Sequence, residues 1–85
     1  MGMTISDIRL KDDVIPLEGT GIEELLGVTP HAWRWKGSGE PARGFIAQDV
    51  EEIHPEMVVE FPGGIKAINY AGLLGKMLTS WAGRN

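Results

Sequence analysis

Two side chains that could form a pair of nucleophile and base lie close together near the start of the sequence. Ser6 and Lys11 are five positions apart in the segment SDIRLK, which contains no cysteine or histidine to compete for either role. A serine hydroxyl is a poor nucleophile until a nearby base takes its proton, and a lysine can take it only when neutral. Because burial disfavours the charged ammonium, a catalytic Lys11 has to be desolvated. The segment is therefore a candidate serine–lysine pair.

The spacing of this pair does not by itself bring the two side chains together. Positions five apart lie about 140° apart around a helix and on opposite faces of a strand, so the segment has to bend. Three neighbouring carboxylates, those of Asp7, Asp12 and Asp13, would keep Lys11 protonated if their side chains approached it. On these residues alone, a helix-capping serine and a solvated lysine are the commoner arrangement.

A histidine-based site is the alternative chemistry. Ser6 could in principle combine with His31 or His54 and with Asp49, but nothing in their spacing supports such a triad. Two histidines without any cysteine are also too few for a convincing metal site. We therefore interpret both histidines as structural and predict neither a metal nor a cofactor.

The composition restricts the classes of function. A chain of 85 residues makes one domain, and a domain this small buries only about 60 to 65% of the surface that its unfolded chain exposes. It has no cysteine for a disulfide, so oligomerisation is the remaining common source of stability. A net charge of −4 argues against a nucleic-acid partner. No apolar run approaches the roughly 20 residues that cross a bilayer, so we expect a soluble protein without a membrane partner, made in a reducing cytoplasm.

The first quarter of the sequence predicts an arm followed by a short helix. Residues 6–18 alternate charged and apolar types, and Pro16 excludes a regular helix there, which favours an extended or turn-containing arm. Thr20 and Glu23 have the spacing of a capping box, in which the hydroxyl and the carboxylate satisfy free amides at the helix start. We therefore predict a helix at about 21–26.

The middle of the sequence predicts a strand that carries two tryptophans. Residues 29–36 are rich in aromatic side chains and end at a Gly-Ser-Gly turn, and residues 44–46 are the expected partner strand. Trp33 and Trp35 are two positions apart and would face the same side. They could form a stacking platform for sugars or bases, but core packing or subunit contact is preferred because exposed paired tryptophans promote aggregation.

A second helix and a hairpin are predicted next. Residues 47–54 read as a short helix with Val50 and Ile53 directed inward. Residues 57–61 and 65–68 flank a Pro-Gly-Gly turn, which is typical of a β-hairpin. The acidic residues of this region could contact a client or a neighbouring subunit, but we expect a solvated face for Asp49, Glu51, Glu52 and Glu56.

The sequence ends in a predicted amphipathic helix that starts after Asn69, a good N-cap residue. Its apolar residues recur at spacings of three and four, as expected for one continuous stripe: Tyr70, Leu73, Leu74, Met77, Leu78 and Trp81. So short a helix needs a packing partner to be stable. The stripe can pack on the core of its own domain, at a subunit interface, or on both.

Four sequence blocks, in this order, resemble the peptidase S74 family, the C-terminal intramolecular chaperone domains of phage tail spikes, tail fibres and endosialidases. The blocks are SDIRLK at 6–11, WRWK at 33–36, GFIAQDVEE at 44–52, and Asn69-Tyr70 before a leucine-rich end. No single block is sufficient, but together they span nearly the whole chain, from about residue 6 to residue 81. The resemblance is carried by their combination and order.

This resemblance implies a self-cleaving serine peptidase that acts once on its own chain, after its trimer has folded. Ser6 would be the nucleophile, Lys11 the general base and Ile5–Ser6 the scissile bond, with Asp7 as a candidate orienting residue. Residues 1–5 would then be an upstream remnant or tag, and residues 6–85 the chaperone domain. The remaining candidate site residues are expected trimer or core contacts: Trp33, Trp35, Phe45, Gln48, Tyr70, Leu74, Met77 and Trp81.

We therefore expect a small α+β domain with short helices, one or two β-hairpins and a C-terminal amphipathic helix, assembled as a homotrimer. The expected function is to align the chains of a phage tail spike or fibre in the cytoplasm of the bacterial host, with the virion tail as a further location. A trimeric cap of the same fold without cleavage activity is the alternative. A monomeric binding domain that uses Trp33 and Trp35 is a third interpretation.

Overall fold

The computed structural model describes residues 2–84, and across them the chain forms two small antiparallel sheets and three α-helices. The predicted α+β class, with its hairpins and its C-terminal helix, is confirmed. The outermost bounds of the predicted segments 1–5 and 6–85, Met1 and Asn85, lie outside the described residues. No helix within the described part is long and apolar enough to cross a membrane.

One sheet contains the strands β2 (Lys11–Pro16), β3 (His31–Trp35) and β4 (Pro41–Gly44), in the order β2-β3-β4. The predicted arm therefore becomes a strand from Lys11 onward, and β3 confirms the predicted tryptophan strand. The partner strand predicted at 44–46 is wrong except at Gly44, which pairs with His31. The strand ends there because Gly44 adopts a φ of 153° and the Phe45 amide turns to donate to the Tyr70 hydroxyl, 2.8 Å away.

The other sheet contains β1 (Thr4–Ile5), β5 (Val58–Glu60) and β6 (Lys66–Ile68), in the order β1-β6-β5. The predicted hairpin is confirmed, and Gly63 and Gly64 in its turn have φ values of 91° and 81° that favour glycine. β1 pairs antiparallel with β6, with Ile5 opposite Ala67. The chain immediately before Ser6 is thus part of a sheet.

Two short helices, α1 (Ile22–Leu26) and α2 (Ala47–Ile53), lie close to the predicted positions. The Thr20 hydroxyl accepts from the Ile22 amide at 3.2 Å and donates to Glu23 at 3.1 Å. The predicted capping box is therefore formed only in part, because Gly21 is the N-cap of α1 and the Glu23 carboxylate accepts from the Gly19 amide. Val50 is fully buried as expected. The inward position predicted for Ile53 is wrong, because α2 ends at this residue and its side chain lies beside Gly27 at the surface, 51% exposed.

The C-terminal helix α3 covers Tyr70–Arg84. Asn69 caps it, because its side-chain oxygen accepts from the Gly72 amide at 2.9 Å. Leu73 is buried, and it completes a core that also contains Leu26, Val28, Ala47, Val50 and Ile68. The predicted apolar stripe is thus buried only in part. Three of its side chains remain 51 to 58% exposed, and we call them the outer stripe: Leu74, Leu78 and Trp81.

Candidate functional site

A single turn of 3-10 helix brings the two predicted catalytic side chains together. The turn covers Ile8–Leu10, between β1 and β2, and the Leu10 amide donates to the Asp7 carbonyl at 3.1 Å. Asp7 also caps the turn through its carboxylate, which accepts from the Arg9 amide at 2.9 Å. This turn supplies the bend that the spacing required, and the Lys11 Nζ lies 3.0 Å from the Ser6 Oγ.

Ser6 is held by backbone contacts from three directions and is only 1% exposed. Its amide donates to the Lys66 carbonyl at 3.1 Å, and its carbonyl accepts from the Ala47 amide at 2.8 Å. Its hydroxyl accepts from Lys11 and donates to the Phe45 carbonyl. The serine is therefore fixed between β6 and the start of α2.

Lys11 is enclosed by the two tryptophans of β3 and is 4% exposed. Its Nζ lies 4.3 Å from the ring centroid of Trp33 and 4.9 Å from that of Trp35, and the two rings meet edge to face. Burial lowers the pKa of Lys11 from 10.5 to about 8, although the nearby Asp7 carboxylate acts in the opposite direction. The amine is therefore far easier to deprotonate than a solvated lysine.

Two features around Lys11 favour its charged form. The tryptophan faces attract an ammonium through their quadrupoles, and the Asp7 carbonyl lies 3.4 Å from the Nζ. The lysine ammonium is thus a stable resting form, in which it donates to the Ser6 hydroxyl. Deprotonation is accessible because burial works against the charge. We call Ser6, Lys11, the two tryptophan rings and the Phe45 carbonyl the dyad site.

The three carboxylates near Lys11 in sequence occupy different positions. Asp7 is fully buried and bound by the Arg9 guanidinium, whose hydrogen bonds hold the pKa of Asp7 well below its usual range despite burial. Asp12 forms an exposed ion pair with Lys36 at 2.6 Å. Asp13 is exposed at an irregularity of β2 and has a φ of 52°. Of the three, Asp7 is the one whose charge acts on Lys11.

Other predicted contact residues surround the dyad site. The Gln48 side-chain oxygen accepts from the Ile8 amide at 2.9 Å and so anchors the 3-10 turn to α2. The Phe45 backbone is held by Tyr70 through its amide and accepts the Ser6 hydroxyl at its carbonyl. These three side chains, predicted as trimer or core contacts, lie within the fold of one chain and support the position of Ser6.

Sequence reasoning missed several parts of the site. The enclosure of Lys11 by Trp33 and Trp35 could have been foreseen, because strand alternation placed both rings on one side and β2 pairs with β3. The contacts that Ser6 makes with the backbones of Phe45 and Lys66 could not have been foreseen, because backbone groups are the same for every residue type. Trp33 also has a buried indole nitrogen without a hydrogen-bond partner among the described residues, which the sequence does not predict.

The histidines lie in structural positions. The His54 Nε2 is 2.7 Å from the Leu26 carbonyl, and the His31 Nδ1 is 3.0 Å from the Thr29 carbonyl. Asp49 approaches His31 at 3.9 Å, but Ser6 takes part in neither histidine's hydrogen bonding. Within residues 2–84, no group of three or more His, Asp or Glu side chains could hold a metal ion.

A second candidate surface lies beside the outer stripe. An apolar groove of about 260 Å³ runs between α1 and α3. It is lined by Leu26, Phe45, Tyr70, Ala71, Leu73, Leu74 and Met77. Leu74 belongs to both the groove and the outer stripe, so the two form a continuous apolar surface. Five of the predicted trimer or core contacts belong to this surface: Phe45, Tyr70, Leu74, Met77 and Trp81.

Comparisons with known proteins identify the family of this chain. The model of the Peptidase S74 family, described as chaperone of endosialidase, matches residues 6–59, which include the whole dyad site. The chain is 34% identical over 80 residues to the long tail fiber protein Gp37 of Escherichia phage AR1. This alignment covers 82% of the chain but 7% of that relative. No solved structure matches the chain. The protein therefore belongs to the peptidase S74 family, the chaperone of endosialidase, and is related to a phage tail fibre protein.

Proposed function

We propose that this domain is a trimerisation chaperone for a phage tail spike or fibre and that it cleaves its own chain once, between Ile5 and Ser6. The observation that carries the cleavage proposal is the buried contact of 3.0 Å between the Lys11 Nζ and the Ser6 Oγ. A hydroxyl and an amine are removed from water together here, which is unfavourable for stability. The burial of this pair therefore favours a role other than stabilising the fold.

The chemistry begins when Lys11 loses its proton. The neutral amine accepts the hydroxyl proton of Ser6 as the oxygen attacks the Ile5 carbonyl carbon, and the Ser6 Oγ to Ile5 C bond forms. The Ile5–Ser6 amide bond then breaks, and the Lys11 ammonium returns the proton to the departing Ser6 nitrogen. Water hydrolyses the resulting ester, which yields an Ile5 carboxylate and restores the Ser6 hydroxyl.

The surrounding hydrogen bonds support this sequence of steps. In the resting arrangement the Ser6 hydroxyl donates to the Phe45 carbonyl, so its hydrogen has to rotate toward Lys11 before attack. The pairing of β1 with β6, together with the Ser6 amide bond to Lys66, keeps the scissile bond in an extended segment. Held in this way, the reacting groups lose little further freedom on reaching the transition state.

Trimerisation would use the outer stripe and its groove. Leu78 and Trp81 are more than half exposed on α3, and a small domain gains stability by covering such residues. A domain that trimerises first also brings three fibre chains together before their non-local strand pairing, which removes part of the entropic barrier. We place this process in the cytoplasm of the bacterial host.

Mass spectrometry of the chain, fused behind a reporter domain, tests the cleavage proposal. We expect a fragment that begins at Ser6 in the wild-type protein and none in Ser6→Ala or Lys11→Met. Lys36→Met is the matched control, because it removes an exposed lysine from the neighbouring strand end. Equal, uncut masses in the wild type and both dyad variants would contradict cleavage and favour the non-catalytic trimeric cap.

Sedimentation velocity tests the assembly proposal separately from cleavage. The Ser6→Ala protein should sediment as a trimer, since this buried substitution does not touch the outer stripe. A concentration-independent monomer would contradict both the chaperone and the cap. It would favour the monomeric binding domain.

A further inference from the structure

Arg9 is the residue that determines where the negative charge beside Lys11 is held. Its Nε donates to one carboxylate oxygen of Asp7 at 2.9 Å and its Nη2 to the other at 3.0 Å, which is a bidentate pair. The Arg9 side chain is 54% exposed, whereas that of Asp7 is fully buried. The arginine therefore covers the carboxylate from the solvent side.

The same guanidinium anchors the turn to the β5–β6 hairpin. The Arg9 Nη2 also donates to the Gly64 carbonyl, and the Lys66 amide donates to Asp7 at 2.9 Å. The Lys66 backbone thus makes two contacts directly after the proposed cleavage bond: its amide donates to the Asp7 carboxylate, and its carbonyl accepts from the Ser6 amide. The Asp7 carboxylate is committed to Arg9 and β6, and it is the Asp7 carbonyl that faces the Lys11 Nζ.

The charged groups around the Arg9–Asp7 ion pair differ in whether they act on Lys11. Among the described residues, Asp7 is the charged group that acts electrostatically on Lys11. Glu60 and Lys66 lie beyond it and act on Arg9 and Asp7 rather than on Lys11. An Asp7 carboxylate without its arginine would leave a full, unneutralised negative charge next to the amine that has to lose a proton.

We propose that Arg9 is a positioning residue for self-cleavage, which holds and neutralises the Asp7 carboxylate so that Lys11 can act as a base. This inference rests on the proposed role of Lys11. Arg9 touches neither the nucleophile nor the base, and it acts through Asp7. Asp7 thereby serves in the turn, as a cap and as a contact to β6, without keeping Lys11 permanently charged.

The first test measures the protonation of Lys11 directly and does not need cleavage. The pKa of Lys11 is followed by NMR of its side chain in the uncut Ser6→Ala protein, with and without Arg9→Met. We expect Arg9→Met to raise this pKa by about 1, because an unneutralised carboxylate favours the ammonium. Arg43→Met is the matched control, since Arg43 is exposed on β4 and forms none of the ion pairs of the described residues. An unchanged Lys11 pKa in folded Arg9→Met would overturn the proposal.

The second test asks whether the effect passes through Asp7. In an Asp7→Asn background the carboxylate charge is gone, so Arg9→Met should no longer raise the Lys11 pKa. An equal rise of that pKa in both backgrounds would overturn the proposal, because Arg9 would then act independently of Asp7. If the Asp7→Asn variant does not fold, Arg9→Met is compared with Arg9→Lys instead. The lysine keeps the neutralising charge, so Arg9→Lys should restore most of the original Lys11 pKa, and an equal rise in both variants would overturn the proposal.

The third test connects the inference to cleavage. In protein with an intact Ser6, Arg9→Met should move the pH–rate profile to higher pH by the same amount as the Lys11 pKa. If that pKa rises by about 1, the cleavage rate at pH 7 should fall about tenfold. A raised Lys11 pKa in a protein that never cleaves would contradict the proposed function and leave the Arg9–Asp7–Lys11 coupling intact. A rate loss at every pH with an unchanged Lys11 pKa would show a merely structural role and overturn the inference.

Discussion

The dyad site and the outer stripe of α3 treat polar and apolar side chains in opposite ways. At the dyad site the protein buries a hydroxyl and an amine that water would otherwise solvate, whereas on α3 it leaves Leu78 and Trp81 largely exposed. Both arrangements disfavour the stability of an isolated chain. The first is compensated within the chain by hydrogen bonds and tryptophan rings. The second would be relieved by the subunit contact proposed above.

The two regions therefore differ in the contacts on which each depends. At the dyad site, the described contacts of Ser6 and Lys11 are made by residues of their own chain. On the outer stripe, by contrast, the large apolar side chains remain 51 to 58% exposed in the single chain. We therefore expect substitutions at the dyad site to change folding stability and pH dependence, and substitutions on the stripe to change association.

The largest expected effect is the loss of the buried carboxylate. Asp7→Asn should lower the free energy of unfolding at pH 7 by about 3 kcal/mol, because it removes the charge from a fully buried carboxylate that accepts hydrogen bonds from Arg9 and from the Lys66 amide. Asp7 has a depressed folded-state pKa, so its stabilisation is complete above the ordinary aspartate value of about 4 and is lost as the pH falls below it. Urea unfolding at several pH values measures this, and a difference between variants that persists unchanged at the lowest pH would contradict the assignment.

Replacing the buried amine should have a pH-dependent effect of the opposite sign. Lys11 has a folded-state pKa of about 8 against 10.5 in the unfolded chain, so burial of its charge destabilises the fold fully below pH 8. This penalty declines as the pH rises from 8 to 10.5. Lys11→Met should therefore gain stability relative to the wild type at pH 7, and this gain should shrink by up to about 3 kcal/mol across the window.

Denaturant unfolding of the two proteins between pH 7 and pH 10.5 checks this prediction. Lys36→Met is the control, because an exposed ion pair contributes less than about 1 kcal/mol and has no comparable pH dependence. A stability difference that stays constant with pH would show that Lys11 titrates normally.

The pH dependence of cleavage is the next effect in size. With Lys11 as the base, the rate should rise about tenfold per pH unit well below its pKa of about 8, by about fiftyfold in all from pH 6 to pH 8, and then level off. Time courses of fragment formation by mass spectrometry give the profile. A profile that levels off well below pH 8 would contradict Lys11 as the base.

The smallest expected effect on the single chain belongs to the outer stripe. Leu78→Glu should change the unfolding free energy of the monomer by no more than about 0.5 kcal/mol, because the side chain is already more than half exposed. It should nevertheless weaken the trimer at least about tenfold, since burial of a charge at an apolar interface is unfavourable. Sedimentation equilibrium measures the association, and Thr79→Glu, on an adjacent exposed face, is the control. Equal weakening of the trimer by both variants would show that the interface is not centred on the outer stripe.

The sequence indicated most of the fold because its local signals agree with one another. The Pro-Gly-Gly turn and the Asn69 cap are each local to their own element, and both lie as expected. The capping box predicted at Thr20 is formed only in part, because Gly21 is the N-cap of α1. The errors occurred where packing overrides a local pattern. Ile53 followed the helical period but lies at the end of α2, and the strand expected at 44–46 ends when Phe45 turns toward Tyr70.

By itself, the sequence determined the residue types of the dyad, the tryptophan alternation and the apolar stripe, because these depend on neighbours along the chain. The tertiary structure decided that Ser6 and Lys11 meet, since a 3-10 turn and the contacts with β6 and α2 bend the segment. It also decided the electrostatics, because burial between tryptophans and the pairing of Asp7 with Arg9 depend on distances that no spacing in sequence specifies. The pKa of a lysine is a property of its surroundings, and for Lys11 these combine the nearby Asp7 with the tryptophans of β3, more than twenty residues away in sequence.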